Sequence, residues 1–426
     1  MTIAVFLGSL LAAMALGVPI AFSLLLCGVA LMWHLGLFDA QILAQNLLEG
    51  ANSFPLLAVP FFMLAGEVMN AGGLSRRIVN LAVALVGHIR GGLGYVAILA
   101  AVMMAALSGS AVADAAALAA LLLPMMTAAG HDKARSAGLL ASASIIAPVI
   151  PPSIGFVIFG VAANVSVSKL FIAGIVPGLL LALSLWVTWW WLARRENITP
   201  PPRRGIGEIL RALREATWAL GMPLIVIVGL KFGVFTPTEA AVVAAVYALV
   251  VALFVYRELK PRQLFEVFLG AGKTTAVVMF LVAAAMVSAW LITVAQLPAQ
   301  IVGLLQPLLD NPRLLMAAIM VLVMIVGTAM DMTPTILILT PVLMPIVKAA
   351  GIDPVYFGVL FIINNAIGLI TPPVGTVLNT VAGVGRLGMD QVTRGVWPFM
   401  AAQFAMLGLM VAFPQLVTVP ARWLYS

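Results

Sequence analysis

The chain has 426 residues, 63% of them hydrophobic and 9% charged, with a mean hydropathy of +1.17. A soluble domain carries about a quarter charged residues, so this composition excludes a soluble globular fold and implies a polytopic helical membrane protein. The net charge of +7 is therefore a signal of loop orientation rather than of nucleic-acid binding, and the single Cys27 excludes an internal disulfide or a Cys-based metal site.

The first 33 residues have no basic leader region, and their apolar run is too long for a signal-peptide core, so a retained spanning helix is expected over 3–33. An outside loop, 34–54, has no Lys or Arg, and a second span follows over 55–72. "LSRRIVNLAVALVGHIR", 74–90, mixes apolar and basic positions as an interfacial arm does. The arms "GLGYVAILAAVMMAAL" (92–107) and "AAALAALLLPMM" (115–126) flank the polar knot "SGSAVAD". Each is shorter than a comfortable span, and together they predict a re-entrant hairpin. The apolar stretch 136–165 holds Pro148, Pro151 and Pro152, which no straight helix accommodates. Spans at 170–193, 217–235, 237–256 and 274–295 follow, then a second arm (297–312) and a second hairpin, 314–327 and 336–347 around "TAMDMTPT". A second proline-broken helix (355–384) and a last span (396–415) complete the chain.

Sliding the chain by 221 positions lays "PMMTAAGHD" on "PIVKAAGID", Pro151-Pro152 on Pro372-Pro373 and Pro177 on Pro398. Coincident prolines are not expected by chance, so the halves are repeats. Arg194, Arg195, Arg203, Arg204, Arg211 and Arg214 mark the central linker as cytoplasmic. The single crossing 217–235 then inverts the second copy. This topology leaves only Lys169, Lys231, Arg313, Lys348 and Arg422 outside, with the N-terminus cytoplasmic and the C-terminus periplasmic.

Inverted repeats that each pair a hairpin with a broken helix point to a secondary transporter with its site near the midplane. Broken helices offer free carbonyls to a hard cation and positive N-terminal ends to an anion. In the first half Ser108, Gly109, Ser110 and Asp114 form the tip, expected to face Ser142, Ser144, the carbonyls near Ala147 and Ile150, and Ser153. In the second half Gly327, Thr328, Asp331, Thr333 and Thr335 form the tip, expected to face Asn364, Asn365, Gly368, Thr371, Gly375, Thr376 and Asn379. Hydroxyls, amides and carbonyls suit an alkali cation rather than a transition metal. An acid at this depth is a functional candidate, although Ser and Gly also serve close helix packing. Glu67 and Glu239 read as buried acids in structural hydrogen bonds, Lys231 and Lys273 as snorkelling near helix ends, and His34, His88 and His131 as loop residues forming no relay.

"SGSAVAD" (108–114), "IIAPVIPPS" (145–153), "GTAMDMTPTILILTPVLMP" (327–345) and "NNAIGLITPPVGT" (364–376) resemble the large membrane subunit of TRAP transporters, the tripartite ATP-independent periplasmic family. Within it the chain is most similar to the 2,3-diketo-L-gulonate branch. The resemblance implies a Na⁺-coupled elevator transporter for small organic acids. It also implies a periplasmic substrate-binding protein and a small four-helix membrane subunit, for which this chain has no room, so that a separate chain is expected. It implies one Na⁺ site at Ser108, Ser110, Asp114 and the backbone of Ala147 and Ile150. A second falls at Gly327, Thr328, Gly368, Thr371 and the backbone of Val374.

The expected fold is thus all-α and polytopic, with two inverted repeats of an elevator-type ion-transporter fold. Residues 1–193 form the first repeat (scaffold 1–90, transport hairpin and broken helix 92–165). Residues 194–235 are linker and connecting helix, and 236–426 the second repeat (scaffold 236–312, transport elements 313–384). Ser153, Asn365, Thr376 and Asn379 are expected at the organic-acid substrate, and Asp331 and Thr333 to brace the second tip. The setting is the bilayer of a bacterial inner membrane, with two or more Na⁺ sites, no organic cofactor, no nucleic acid and no enzymatic activity. The rival readings are a stand-alone Na⁺/dicarboxylate carrier and a subunit of an ion-pumping redox complex. The latter requires a buried Lys–Glu–His line that the sequence lacks, and no "HExxH" or paired-aspartate protease pattern occurs.

Overall fold

Short polar residues placed just before apolar runs write the helix starts of this chain. In the computed structural model, which describes residues 2–196, 202–304 and 309–425, Asp39, Ser110, Asp132, Ser153, Ser166, Thr236, Asn311 and Asp353 each accept a first-turn backbone N–H. Each takes up a donor that a helix start otherwise leaves unpaired. Among the described residues every regular element is a helix, and nine stretches are long and apolar enough to cross a membrane.

The first half runs α1 (Thr2–Ala15), α2 (Ile20–His34), α3 (Ala40–Ala51), α4 (Ala58–Ala71), α5 (Leu74–Val86), α6 (Gly92–Ser108), α7 (Ala111–Ala128), α8 (Lys133–Ser144), α9 (Ile154–Ala163) and α10 (Val167–Ala193). The connecting helix is α11 (Ile206–Lys231). The second half runs α12 (Pro237–Val250, continued by a π turn over Val251–Val255), α13 (Pro261–Val294), α14 (Leu297–Leu304), α15 (Pro312–Ala329), α16 (Met332–Ala349), α17 (Pro354–Gly368), α18 (Thr376–Gly385), α19 (Met389–Ala412) and α20 (Gln415–Tyr425). The 221-residue shift superposes these elements in order. It lays α3 and α4 on the single helix α13, the α6–α7 hairpin on α15–α16, and α8–α9 on α17–α18. Both broken helices begin at an Asp cap, Asp132 and Asp353, and both break at a cis Pro-Pro pair.

Two packed groups result. Helices α2, α3, α4, α12 and α13 pack on one another, with α5 against α11. The hairpins and broken helices form the other group, and they exchange partners: α9 packs on α16 of the opposite repeat, while α18 packs on α7 and α8. Helices α10 and α19 join this second group. The α8–α19 contact is backbone to backbone, since a Cβ on Gly138 would overlap the main chain of Gly395.

Several expectations are corrected. The single span over 3–33 is two helices, α1 and α2, folded on each other around Gly17 (φ +79) and Pro19. The loop 34–54 contains α3, an amphipathic helix too polar to stand out in a hydropathy scan; Gly50 on it packs against Met286 of α13. The hairpin arms extend to the tips, and three of the four have the length and apolarity of a span. Their tips end against the middle of a broken helix, Gly109 at Pro152 and Gly327 at Gly368. Helix α13 starts thirteen residues before the expected span, which puts Lys273 well inside the helix rather than at its end. Part of the second arm's stretch, 305–308, lies outside the described residues, as does 197–201 of the linker.

Candidate functional site

The first tip turns at Gly109, in the left-handed conformation (φ +60), and its Cα has no room for a side chain against the Pro152 carbonyl. The reversal brings the Ser108 hydroxyl to Asp114 Oδ1 at 2.5 Å, while the Ser110 N–H donates to Ser108 Oγ at 3.2 Å. Asp114 Oδ2 is buried without a partner. Across from the tip, Ser153 donates to the Pro148 carbonyl at 2.5 Å and accepts from Phe156 N–H at 3.2 Å, closing the break. Pro151 removes the donor that a continuous helix would send back to Ala147, and the break displaces the one for Ile150, so among the described residues no hydrogen bond takes up either carbonyl. A bare carboxylate oxygen, hydroxyls and free carbonyls are the donor types that a hard monovalent cation such as Na⁺ takes.

The second tip repeats the plan with different groups. Gly327 meets Gly368: a Cβ built on Gly368 would stand 2.9 Å from the Gly327 carbonyl oxygen. Thr328 Oγ1 donates to the Ile325 carbonyl at 2.7 Å, and Thr371 Oγ1 to the Ile367 carbonyl at 2.8 Å. Each hydroxyl thereby keeps its lone pairs for another partner. Asn379 Nδ2 holds the Val374 carbonyl at 2.7 Å, and Asn365 Oδ1 is buried without a donor near Gly327. Asp331 starts α16, its carbonyl takes the Thr335 hydroxyl at 2.8 Å, and its Oδ1 lies 3.5 Å from Thr376 Oγ1. Asp331 thus ties the tip to the far half of the broken helix. Thr333 is half-buried in the first turn of α16. Gly375 (φ +47) starts α18 with Thr376 behind it, and Asn379 is exposed one turn on.

Other residues fall elsewhere than the sequence suggested. Asn364 is turned away from the tip, its Nδ2 donating to the Met320 carbonyl at 2.5 Å. Ser142 contributes its carbonyl to Gln403 Nε2 of α19 at 2.9 Å, and Ser144 bonds back to Leu140 at 2.7 Å. Glu239 is exposed and closes a capping box with Thr236, so its role is structural although it is not buried. Glu67 is exposed into a cavity of about 70 Å³ shared with Ser108, Ser110 and Thr274, between the α4–α13 layer and the first tip. His131, expected to be idle, is buried and bonds Glu196 at 2.6 Å, while Arg135 meets the other oxygen at 2.6 Å. Burial opposes the charge of Glu196, but the bonds to His131 and Arg135 outweigh it and hold the carboxyl below its usual range. A sequence separation of 65 hid this cluster from the sequence.

Residues 7–416 match the family described as "Tripartite ATP-independent periplasmic transporter, DctM component". The chain is 58% identical over 424 residues to the 2,3-diketo-L-gulonate TRAP transporter large permease protein YiaN of Escherichia coli (strain K12), covering 100% of both chains. It is 39% identical to the sialic acid TRAP transporter large permease protein SiaM of Vibrio cholerae, over 94% of this chain and 93% of that one. Among solved structures the fold resembles the Alcanivorax borkumensis YdaH transporter, with a TM-score of 0.67, 17% identity, and coverage of 88% of this chain and 90% of that one.

Proposed function

The chain belongs to the DctM component family of tripartite ATP-independent periplasmic transporters, a family of permeases and not of enzymes, and on that premise we propose that it is the Na⁺-coupled permease subunit for uptake of a small organic acid. The proposed substrate is of the keto-sugar-acid or C4-dicarboxylate class, delivered by a periplasmic binding protein and moved by elevator alternation across the bacterial inner membrane. A separate small four-helix subunit is the proposed partner. The proposed membrane orientation has the N-terminus cytoplasmic and the C-terminus periplasmic, as the loop charges suggest.

The observation that carries the Na⁺ reading is Asp114. Its Oδ2 is buried and unpartnered at a tip that abuts the helix break at Pro152, and a buried carboxylate oxygen is costly unless a cation answers it. The proposed first site comprises Ser108, Ser110, Asp114, Ala147 and Ile150, and the second Gly327, Thr328, Gly368, Thr371 and Val374. Ser153, Asn365, Thr376 and Asn379 lie along the two breaks, where half-helix N-termini offset an anion's charge. The packing of hairpins and broken helices on one another across the repeats supports an elevator with α6–α9 and α15–α18 as the moving unit.

The test is uptake into proteoliposomes holding this chain with its small subunit and binding protein. Uptake is expected to follow an imposed Na⁺ gradient and to stop when choline replaces Na⁺. Equal uptake in Na⁺-free medium with a proton gradient would overturn the coupling, and transport by this chain alone would identify a stand-alone carrier.

A further inference from the structure

Beside the second hairpin lies an apolar groove. It measures about 670 Å³ and runs between α15, α17 and α19, walled by Leu314, Val321, Leu407 and Val411. The 221-residue shift lays α15 and α19 on α6 and α10, where Trp186 replaces Leu407, Val187 replaces Gly408, and Trp190 and Trp191 replace Val411 and Ala412. There Trp186 packs on Tyr95 with ring centroids 4.4 Å apart, and Met316 stands at the position of Tyr95 in the second copy. The second repeat thus carries smaller residues on α19 at the groove than the first repeat carries on α10.

Its two ends differ in chemistry. At the mouth stands Arg313, exposed, in the first turn of α15 behind the Asn311 cap. Among the described residues Arg313 has no acidic partner. A cation on a helix N-terminus draws an anion doubly. At the deep end lies Asn364, ten residues along α17, which starts near the mouth, where the Tyr356 hydroxyl bonds the Met410 carbonyl at 2.9 Å. Ten residues of helix rise about 15 Å, half of a hydrocarbon core about 30 Å thick. The rim, with Leu314, Val321 and Leu409 exposed, is apolar as a lipid-facing flank is.

We propose that this groove holds one anionic phospholipid of the surrounding membrane. Its phosphate lies at Arg313 and the first turn of α15, and one acyl chain follows the groove one leaflet deep to Asn364. The inference stands apart from the transport reading.

The test is native mass spectrometry of the full chain in mild detergent, titrated with phosphatidylglycerol and phosphatidylcholine. The wild-type chain is expected to retain one phospholipid and to prefer phosphatidylglycerol about fivefold. Gly408→Trp, which fills the groove wall with an indole, is expected to lose that lipid, and Arg313→Gln to keep a lipid but lose the preference. Retention by Gly408→Trp at the wild-type level, or an unchanged preference in Arg313→Gln, overturns the proposal, as does displacement of phospholipid by free fatty acid. Arg313 is exposed, so its variant folds independently of the outcome and decides alone if Gly408→Trp does not fold.

Discussion

Gly327 and Gly368 bring the second hairpin tip and the second helix break together main chain to main chain. The fit is one-sided: a Cβ on Gly368 would lie 2.9 Å from Gly327 O, whereas one on Gly327 would find its nearest neighbour at 3.6 Å. Gly368→Ala is therefore expected to cost about 1–3 kcal/mol in overpacking and to cut Na⁺-driven uptake about tenfold or more. Gly327→Ala is expected to stay within about twofold of wild type, because ordinary van der Waals contact costs little. Proteoliposome uptake at matched protein density separates them, and equal losses would contradict the one-sided fit.

At the first tip, Asp114→Asn keeps the shape and the bond to Ser108 but removes the charge that the unpartnered Oδ2 presents. The Na⁺ concentration for half-maximal uptake is expected to rise about tenfold or more, since a charge-assisted contact is worth about 1.5–3 kcal/mol. Ser108→Ala removes a neutral ligand and is expected to raise it only about two- to fivefold. Thermal stabilisation by Na⁺ offers an independent readout, because an ion that binds only the folded state raises the melting temperature. A full Na⁺ shift in Asp114→Asn would remove Asp114 from the site.

The broken helices and hairpins were legible because their causes are local: two proline pairs, two Asp caps and two polar knots at matching positions. What escaped the sequence depended on packing. Asn364 and Asn365 are neighbours, yet a helix turns about 100° per residue, so one faces the tip and the other the α15 backbone. Helix α3 escaped because its polar residues, Gln41, Gln45 and Glu49, face outward while its apolar side covers α13. Glu67 looked buried only because its neighbours are apolar; the fold leaves it facing a cavity.

The His131–Glu196–Arg135 cluster ties the α7–α8 turn to the end of α10. Because the folded state holds the Glu196 carboxyl below its ordinary value of 4.5, the cluster stabilises fully above that value. The contribution fades as pH falls through the lowered folded value. Glu196→Gln is expected to lower stability by about 1–3 kcal/mol at neutral pH by leaving the His131 and Arg135 partners unanswered. Melting curves of the two proteins are expected to run parallel from neutral pH to about 4.5 and to converge below it. A gap that persists unchanged in strong acid would show that the glutamine acts by packing alone.

Glu67 offers a test of the proposed elevator. It belongs to α4 of the outer layer, and its cavity of about 70 Å³ has room for about two waters against Ser108 and Ser110 of the first tip. If the hairpins travel past α4 and α13 during transport, the walls of this cavity separate, and reagent access to position 67 must change. The native Cys27 is buried beside Ser288, and a Cys27→Ser chain removes its thiol from the background. In that chain Glu67→Cys is expected to react with a charged, membrane-impermeant thiol reagent at rates that differ several-fold between Na⁺ alone and Na⁺ with substrate and binding protein. A position on the outer layer alone, such as Gly272→Cys, serves as the unmoving reference. Equal rates at position 67 in every condition would mean that the first tip does not leave α4, and the two packed groups would then have to be one rigid body.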